Sequence, residues 1–316
     1  MLVLSSARIQ EDLQHRLIKN YPDIDFRFYR KMEEAAKDLP MAEVLITYGE
    51  DLTEDLINQA NSLRWIMVIS AGLDRMPFKA IKEKGIIVTN ARGIHKIPMA
   101  EYTLAAMLQW SKKTKEWVAN QKEHVWSKYG IKMNELAYQN ITVIGTGAIG
   151  SEIARLAKAF RMKTFGVNRS GNKAEHFDEI FTVNDMLTPI SQSAVVVSVL
   201  PYTNETDHLI GKKHFEALPD HSLFINIGRG KTVDQDALLE ELRKREMSAV
   251  LDVFEQEPLP LDHPFWDMPN VTITPHFSSI TSQYQPRSIE IFEENLLKYK
   301  KRSEDLINLI DLDRGY

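Results

Sequence analysis

The chain has 316 residues, 43% of them hydrophobic and 26% charged, enough for two soluble domains with real cores. A net charge of −5 argues against a nucleic-acid surface, which needs clustered Lys and Arg. With no cysteine there are no disulfides, thiolate metal sites or Cys nucleophile, which fits a reducing compartment. The N-terminal apolar run, Met1 to Leu4, is too short for a signal sequence, and no stretch is long and apolar enough to span a bilayer. The expectation is a cytoplasmic protein with no membrane or nucleic-acid partner.

The first third alternates short apolar runs with polar helical stretches, the pattern of a parallel α/β unit. Leu2 to Leu4, Glu43 to Thr47, Arg64 to Ser70 and Ile86 to Val88 read as strands. Glu11 to Lys19 reads as a helix with Leu13 and Leu17 inward, and Leu52 to Ala60 as another, capped by Thr53 or Asp51. This region has no phosphate-binding fingerprint. Pro98 suits a first helical turn, so Met99 to Trp117 reads as one linking helix whose Met and aromatic residues serve a core or a subunit interface.

The chain then turns on Ile141 to Phe160. Ile141-Thr142-Val143-Ile144 reads as a strand and Gly145-Thr146-Gly147-Ala148-Ile149-Gly150 follows at once. Ile149, Ile153, Leu156, Ala157 and Phe160 then recur at helical spacing. Strand, G-x-G-x-x-G turn and helix together form the dinucleotide fingerprint, with pyrophosphate at the helix N-terminus. Four more strands are expected at Thr164 to Val167, Ala194 to Leu200, Leu223 to Ile227 and Ser248 to Leu251, and a fifth at Val271 to Thr274. Asp234 to Arg245 and Pro286 to Tyr299 read as helices. In a doubly wound sheet, ligands bind beyond the carboxyl ends of the strands. Here those ends carry the glycines, Asn168 with Arg169 and Ser170, Arg229, Asp252 and His276.

Arg229 stands between two glycines after an apolar strand. A guanidinium clamps a carboxylate with two hydrogen bonds, although a solvated turn arginine is the plainer reading. Glu257 alone reads as a surface carboxylate, and His276 alone as a structural histidine. An anion clamp, a titrating imidazole and a carboxylate to orient it are together what reversible oxidation of a hydroxy acid by a nicotinamide requires. Neither a G-x-S-x-G elbow nor an H-E-x-x-H helix is present.

The sequence resembles the D-isomer-specific 2-hydroxyacid dehydrogenase family, and within it the glyoxylate/hydroxypyruvate reductase-like branch. The matching stretches are Ala71-Gly72-Leu73-Asp74, Ala100-Glu101-Tyr102-Thr103, the glycine motif, Val199-Leu200-Pro201 with Thr206, Asn226-Ile227-Gly228-Arg229-Gly230, Asp252 to Leu259, and Thr274-Pro275-His276. They span nearly the whole chain in the family's order. The resemblance implies an α/β protein with a Rossmann-type doubly wound parallel sheet in its cofactor domain and a smaller flavodoxin-like substrate domain. The substrate domain is discontinuous, 1 to 98 plus 285 to 316, with the dinucleotide-binding domain at 99 to 284.

The resemblance implies that Arg229, Glu257 and His276 are catalytic, and that the substrate meets Ala71, Gly72 and Leu73 as well as Arg229 and His276. It places cofactor contacts at Thr103, Gly145, Gly147, Ala148, Ile149, Gly150, Asn168, Arg169, Ser170, Leu200, Pro201, Thr206, Ile227, Gly228, Asp252 and Ser278, with no metal. It implies a homodimer through the cofactor domains and a small 2-keto or 2-hydroxy acid as substrate. Two departures matter. The position after the second strand, usually acidic in NAD-dependent members, is Asn168, which with Arg169 favours NADP(H) over NAD(H). Phe277-Ser278-Ser279 replaces the commoner Ile-Gly after the histidine. A phosphoglycerate or formate dehydrogenase on this scaffold, or a dinucleotide-sensing corepressor or scaffold with little turnover, remain alternatives.

Overall fold

The computed structural model describes residues 1–312 apart from 71, 72 and 74. The chain divides into two compact units, Met1–His95 with Thr281–Tyr316, and Lys96–Ile280. The first boundary falls before 98 because the helix expected to begin at Met99 starts at Lys96, with Pro98 in its first turn, and is part of the second unit; the second falls between Ile280 and Thr281.

In the first unit, β1 (Leu2–Ser5), β2 (Asp25–Phe28), β3 (Val44–Thr47), β4 (Trp65–Val68) and β5 (Ile87–Asn90) form a parallel sheet in the order β2-β1-β3-β4-β5. This is the flavodoxin-like order. β3 and β4 are buried on both faces, which is why they read as continuous apolar runs. Successive residues of β4 point to opposite cores: Ile66 and Val68 pack with Leu45 and Ile81, while Trp65 and Met67 pack with Phe292 and Leu296 of the helix Tyr284–Lys300. Thr53 caps the helix Glu54–Gln59, its side chain accepting the N–H of Leu56. β2 was not expected. It is an edge strand of four residues, none of them fully buried, so it lacks an apolar run.

The second unit begins with two helices, Lys96–Ser111 and Thr114–Lys122, in place of one. Lys113 between them has φ +53, a left-handed conformation that ends the first helix without glycine or proline. The strands are β6 (Asn140–Ile144), β7 (Lys163–Asn168), β8 (Glu179–Thr182), β9 (Val195–Ser198), β10 (Leu223–Asn226), β11 (Ser248–Leu251) and β12 (Val271–Ile273). All pair in parallel, in the order β12-β11-β10-β9-β6-β7-β8. The strand order reverses between β6 and β9, so the crevice beyond their carboxyl ends is the switch point at which such sheets take ligands. Val195 and Val197 face a core with Ile153, Ala157 and Met107, whereas Val196 faces Phe215, Leu238 and Phe224.

Candidate active site

β6 ends at Ile144, and the helix Ala148–Ala159 begins four residues later. Gly145 has φ +109, and a Cβ there would lie 2.9 Å from Val199 Cγ2 in the turn after β9. A Cβ on Gly150 would lie 1.9 Å from the Gly145 carbonyl oxygen, so helix and strand close up only over hydrogen. A Cβ on Gly147 would meet nothing within 4 Å. The fold itself therefore sets no steric demand for glycine at 147. Gly147 is the N-cap, no side chain caps the helix, and Gly147 and Ala148 are exposed. An uncapped 12-residue helix behind an open glycine suits an anion, and these residues fit a dinucleotide pyrophosphate.

Asn168, the last residue of β7, is tied into its own turn. Its Nδ2 donates to Thr146 Oγ1 at 3.0 Å and to the Asn172 carbonyl at 3.0 Å, while Oδ1 accepts the N–H of Gly171 at 2.7 Å. The strand end therefore carries an amide rather than a carboxylate. Arg169 and Ser170 are exposed, and Arg169 Nη1 lies 3.5 Å from Glu205 Oε2, a loose pair in solvent. Leu200 and Pro201 follow β9 at the switch point. Thr206 shapes that loop, its hydroxyl donating to the Pro201 carbonyl at 2.8 Å and accepting from the Thr203 amide at 2.8 Å.

Some expected cofactor contacts are placed differently. Thr103 is fully buried and its hydroxyl donates to the Met99 carbonyl one turn back. The Ile227 side chain belongs to the core, and its amide donates to the Ser198 carbonyl. Neither side chain is open to a bound molecule. Ala71 and Gly72 lie outside the described residues, and Leu73 is buried in the core of the first unit beside Met76.

Arg229, Glu257 and His276 follow β10, β11 and β12, three adjacent strands. Asn226, the last residue of β10, folds the Arg229 turn: Oδ1 accepts the Gly228 amide at 3.1 Å and Nδ2 donates to the Arg229 carbonyl at 3.3 Å. A Cβ on Gly230 would lie 1.9 Å from the Phe254 carbonyl, so this turn packs directly on the loop that carries Glu257. Arg229 is half-buried, and its Nη1 donates to the Gly228 carbonyl at 3.0 Å.

His276 Nδ1 lies 2.8 Å from Glu257 Oε2. The other carboxylate oxygen, Oε1, accepts the N–H of Phe254 at 3.0 Å, which fixes the carboxyl plane. An ionised carboxylate only accepts, so Nδ1 carries the hydrogen and Nε2 is the nitrogen left for proton transfer. Both side chains are partly exposed. Asp252 is fully buried and does not face outward. It accepts from Thr274 Oγ1 at 2.6 Å and from the amides of Phe277 and Ser278 at 3.0 and 3.1 Å. Asp252 and Ser278 thus hold the histidine loop from within. Among the described residues no cluster of three His, Asp or Glu side chains has metal-site geometry, and no helix is long and apolar enough to cross a membrane.

Residues 104–278 match the D-isomer specific 2-hydroxyacid dehydrogenase, NAD binding domain, family. The chain belongs to the D-isomer specific 2-hydroxyacid dehydrogenase family. This is a family of oxidoreductases built on an NAD-binding Rossmann fold. The chain is 32% identical to glyoxylate/hydroxypyruvate reductase B of Pectobacterium atrosepticum, over 89% of each chain. It is 30% identical to D-3-phosphoglycerate dehydrogenase of Archaeoglobus fulgidus over 95% of its own length, but spans only 58% of that protein. A crystal structure of a D-isomer specific 2-hydroxyacid dehydrogenase family protein from Aeromonas salmonicida superposes with a TM-score of 0.85 at 32% identity, covering 99% of this chain and 98% of that one.

Tyr102 and Thr274 carry no role in the sequence reading beyond belonging to matching stretches, yet both reach Asp252's network. Nothing in the sequence brings together residues so far apart.

Proposed function

We propose that the chain is an NAD(P)-dependent reductase of small 2-keto acids that gives the D-2-hydroxy acid, with a glyoxylate- or hydroxypyruvate-like substrate. The observation that carries this is the 2.8 Å contact between His276 Nδ1 and Glu257 Oε2 on strand ends next to the strand end of Arg229. Lys96–Ile280 is the cofactor domain in this reading, and Met1–His95 with Thr281–Tyr316 is the substrate domain.

A bound nicotinamide supplies the hydride in reduction and accepts it in oxidation. The chain's own residues do the rest. The glycine turn and the helix amides after Gly147 would hold the pyrophosphate, and the turn at Asn168, Arg169 and Ser170 would meet the adenosine ribose. Arg229 binds the substrate carboxylate and polarises the carbonyl. Protonated His276 gives the Nε2 proton to the carbonyl oxygen as it becomes hydroxyl, and takes it back in oxidation. Glu257 orients the ring and offsets the imidazolium charge.

The amide of Asn168 at the end of β7, where a carboxylate would repel a 2′-phosphate, supports NADP(H) over NAD(H). A homodimer through the second unit is supported by exposed aromatics on the stretch after Lys122. Trp126 is 95% and Tyr129 87% exposed. Gly130, Ile131 and Lys132 of that stretch wall a cavity of about 770 Å³ at the amino ends of β10 and β11, the opposite sheet edge from the triad. Large exposed aromatics mark association surfaces.

The test is turnover of NADPH with a panel of 2-keto acids, including glyoxylate, hydroxypyruvate, pyruvate and phosphohydroxypyruvate. Rapid oxidation with a short-chain keto acid is expected. Tight NADPH binding without turnover of any member defeats the reading and leaves a dinucleotide sensor.

A further inference from the structure

Tyr102 lies in the helix Lys96–Ser111, 172 residues from Thr274 in sequence, yet its hydroxyl is 2.7 Å from Thr274 Oγ1. Thr274 Oγ1 is in turn 2.6 Å from Asp252 Oδ1. A carboxylate only accepts, and a threonine hydroxyl has one proton to give. Thr274 therefore donates to Asp252, and Tyr102 must donate to Thr274. The direction of the chain is fixed: tyrosine, threonine, aspartate. Burial pushes the Tyr102 phenol up to about 12, so it keeps the proton that this arrangement needs.

The network ends at the histidine. His276 has φ +51, a backbone conformation that residues other than glycine rarely adopt, so its surroundings must hold it there. Its own N–H donates to the Asp252 carbonyl at 2.9 Å and to the Thr274 carbonyl at 3.1 Å. The next two amides, Phe277 and Ser278, donate to the Asp252 carboxylate. Thr274, two residues before the histidine, is held by Tyr102, and the Tyr102 ring meets Phe277 edge-on with centroids 6.3 Å apart. The backbone on both sides of His276 thus rests on Asp252, and through Thr274 on one phenol from a separate helix.

We infer that Tyr102 is a positioning residue: through Thr274 and Asp252 it fixes the left-handed turn that presents His276 for proton transfer. This rests on the reading of His276 as the acid–base group. Tyr102 itself touches no reacting atom. Placement matters because a shift of about 1 Å in a catalytic group costs up to about 100-fold in rate.

Tyr102→Phe keeps the ring and its edge contact with Phe277 and removes only the hydroxyl. Two measurements test the inference. Hydrogen exchange of the Phe277 and Ser278 amides, followed by mass spectrometry on the whole chain, should accelerate. The kcat for keto-acid reduction should fall about tenfold or more while KM and NADPH affinity stay close to wild type, since misplacement costs rate rather than binding. Thr274→Val should reproduce both effects, Thr274→Ser should restore both, and the double variant should be no worse than Thr274→Val. Loss traceable to general packing would instead raise KM and lower kcat and thermal stability together in Tyr102→Phe, and Thr274→Ser would do no better than Thr274→Val; that result overturns the inference. So does unchanged exchange with unchanged kcat. The exchange experiment needs no turnover, so a wild type inactive on every keto acid defeats the functional reading alone.

Discussion

Glu257 is bonded through both oxygens, one to the ring of His276 at 2.8 Å and one to the backbone of its own loop at Phe254, 3.0 Å away. The carboxylate is therefore placed before it places the histidine. His276→Ala should lower kcat by about 10²–10⁴-fold, the usual contribution of a positioned acid. NADPH affinity, measured by fluorescence titration, should barely change, because the glycine turn lies on β6 rather than β12. Glu257→Gln should cost about 10- to 100-fold, the worth of one charge-assisted hydrogen bond. Turnover near wild type in His276→Ala would remove the histidine from the chemistry.

The glycines of the fingerprint separate folding from binding. Gly150→Ala puts a methyl 1.9 Å from the Gly145 carbonyl oxygen, so strand and helix must move apart. A loss of thermal stability is expected, of the order of the about 1–3 kcal/mol seen for overpacking. Gly147→Ala meets nothing within 4 Å, so the melting temperature should hold while dinucleotide affinity drops. Calorimetry and titration on the two variants check this. If Gly147→Ala binds NADPH as the wild type does, the pyrophosphate does not lie on that backbone.

What could be read from the sequence follows from where the information lies. The buried strands β9 and β10 are legible because burial on both faces demands unbroken apolar runs. The strand-end residues Arg229 and His276 are legible only together with Glu257 and the family's motifs, since each alone reads as an ordinary turn or structural residue. Edge strands β2 and β8 are not, since partial exposure permits Asp25, Arg27 and Glu179 within them. The break at Lys113 carries no Gly or Pro signal. Asp252 illustrates a deeper limit. Its strand-end position suggests an outward role, and only three-dimensional neighbours show that Thr274, Phe277 and Ser278 claim both its oxygens.

His214 gives the fold a pH dependence. It is buried in the helix Lys212–Ala217, where its Nδ1 accepts the Gly211 amide at 3.1 Å, and burial, with Lys213 adding, lowers its pKa to about 4. An unfolded chain would protonate it near 6.5. Between those values the unfolded state binds more protons than the folded one, so stability rises with pH and is lost as pH falls from about 6.5 towards 4. His214→Gln keeps an acceptor at this position and removes the titration. Its melting temperature should fall less than that of the wild type between pH 7 and pH 5. Parallel curves for the two proteins would mean that the folded and unfolded chains protonate His214 alike.

Cofactor choice turns on the end of β7. An acidic residue there, about 20 positions beyond the glycine motif, accepts a hydrogen bond from the ribose 2′-hydroxyl and repels a 2′-phosphate. In this chain Asn168 occupies the position, and its side chain is committed to Thr146, Asn172 and Gly171. Arg169 is exposed beside it and pairs with Glu205 at 3.5 Å. A pair so exposed is worth little and yields readily to a doubly charged phosphate. A charge-assisted bond from Arg169 contributes about 1.5–3 kcal/mol, or roughly 10- to 100-fold in affinity. Glu205 competes for the same guanidinium, which places the expected preference nearer the lower figure. The kcat/KM for NADPH should exceed that for NADH with the same keto acid. Arg169→Ala should erase most of the difference, and Glu205→Gln should widen it. A wild type that prefers NADH, or an Arg169→Ala variant that keeps its NADPH preference, would place the discrimination elsewhere than at this turn.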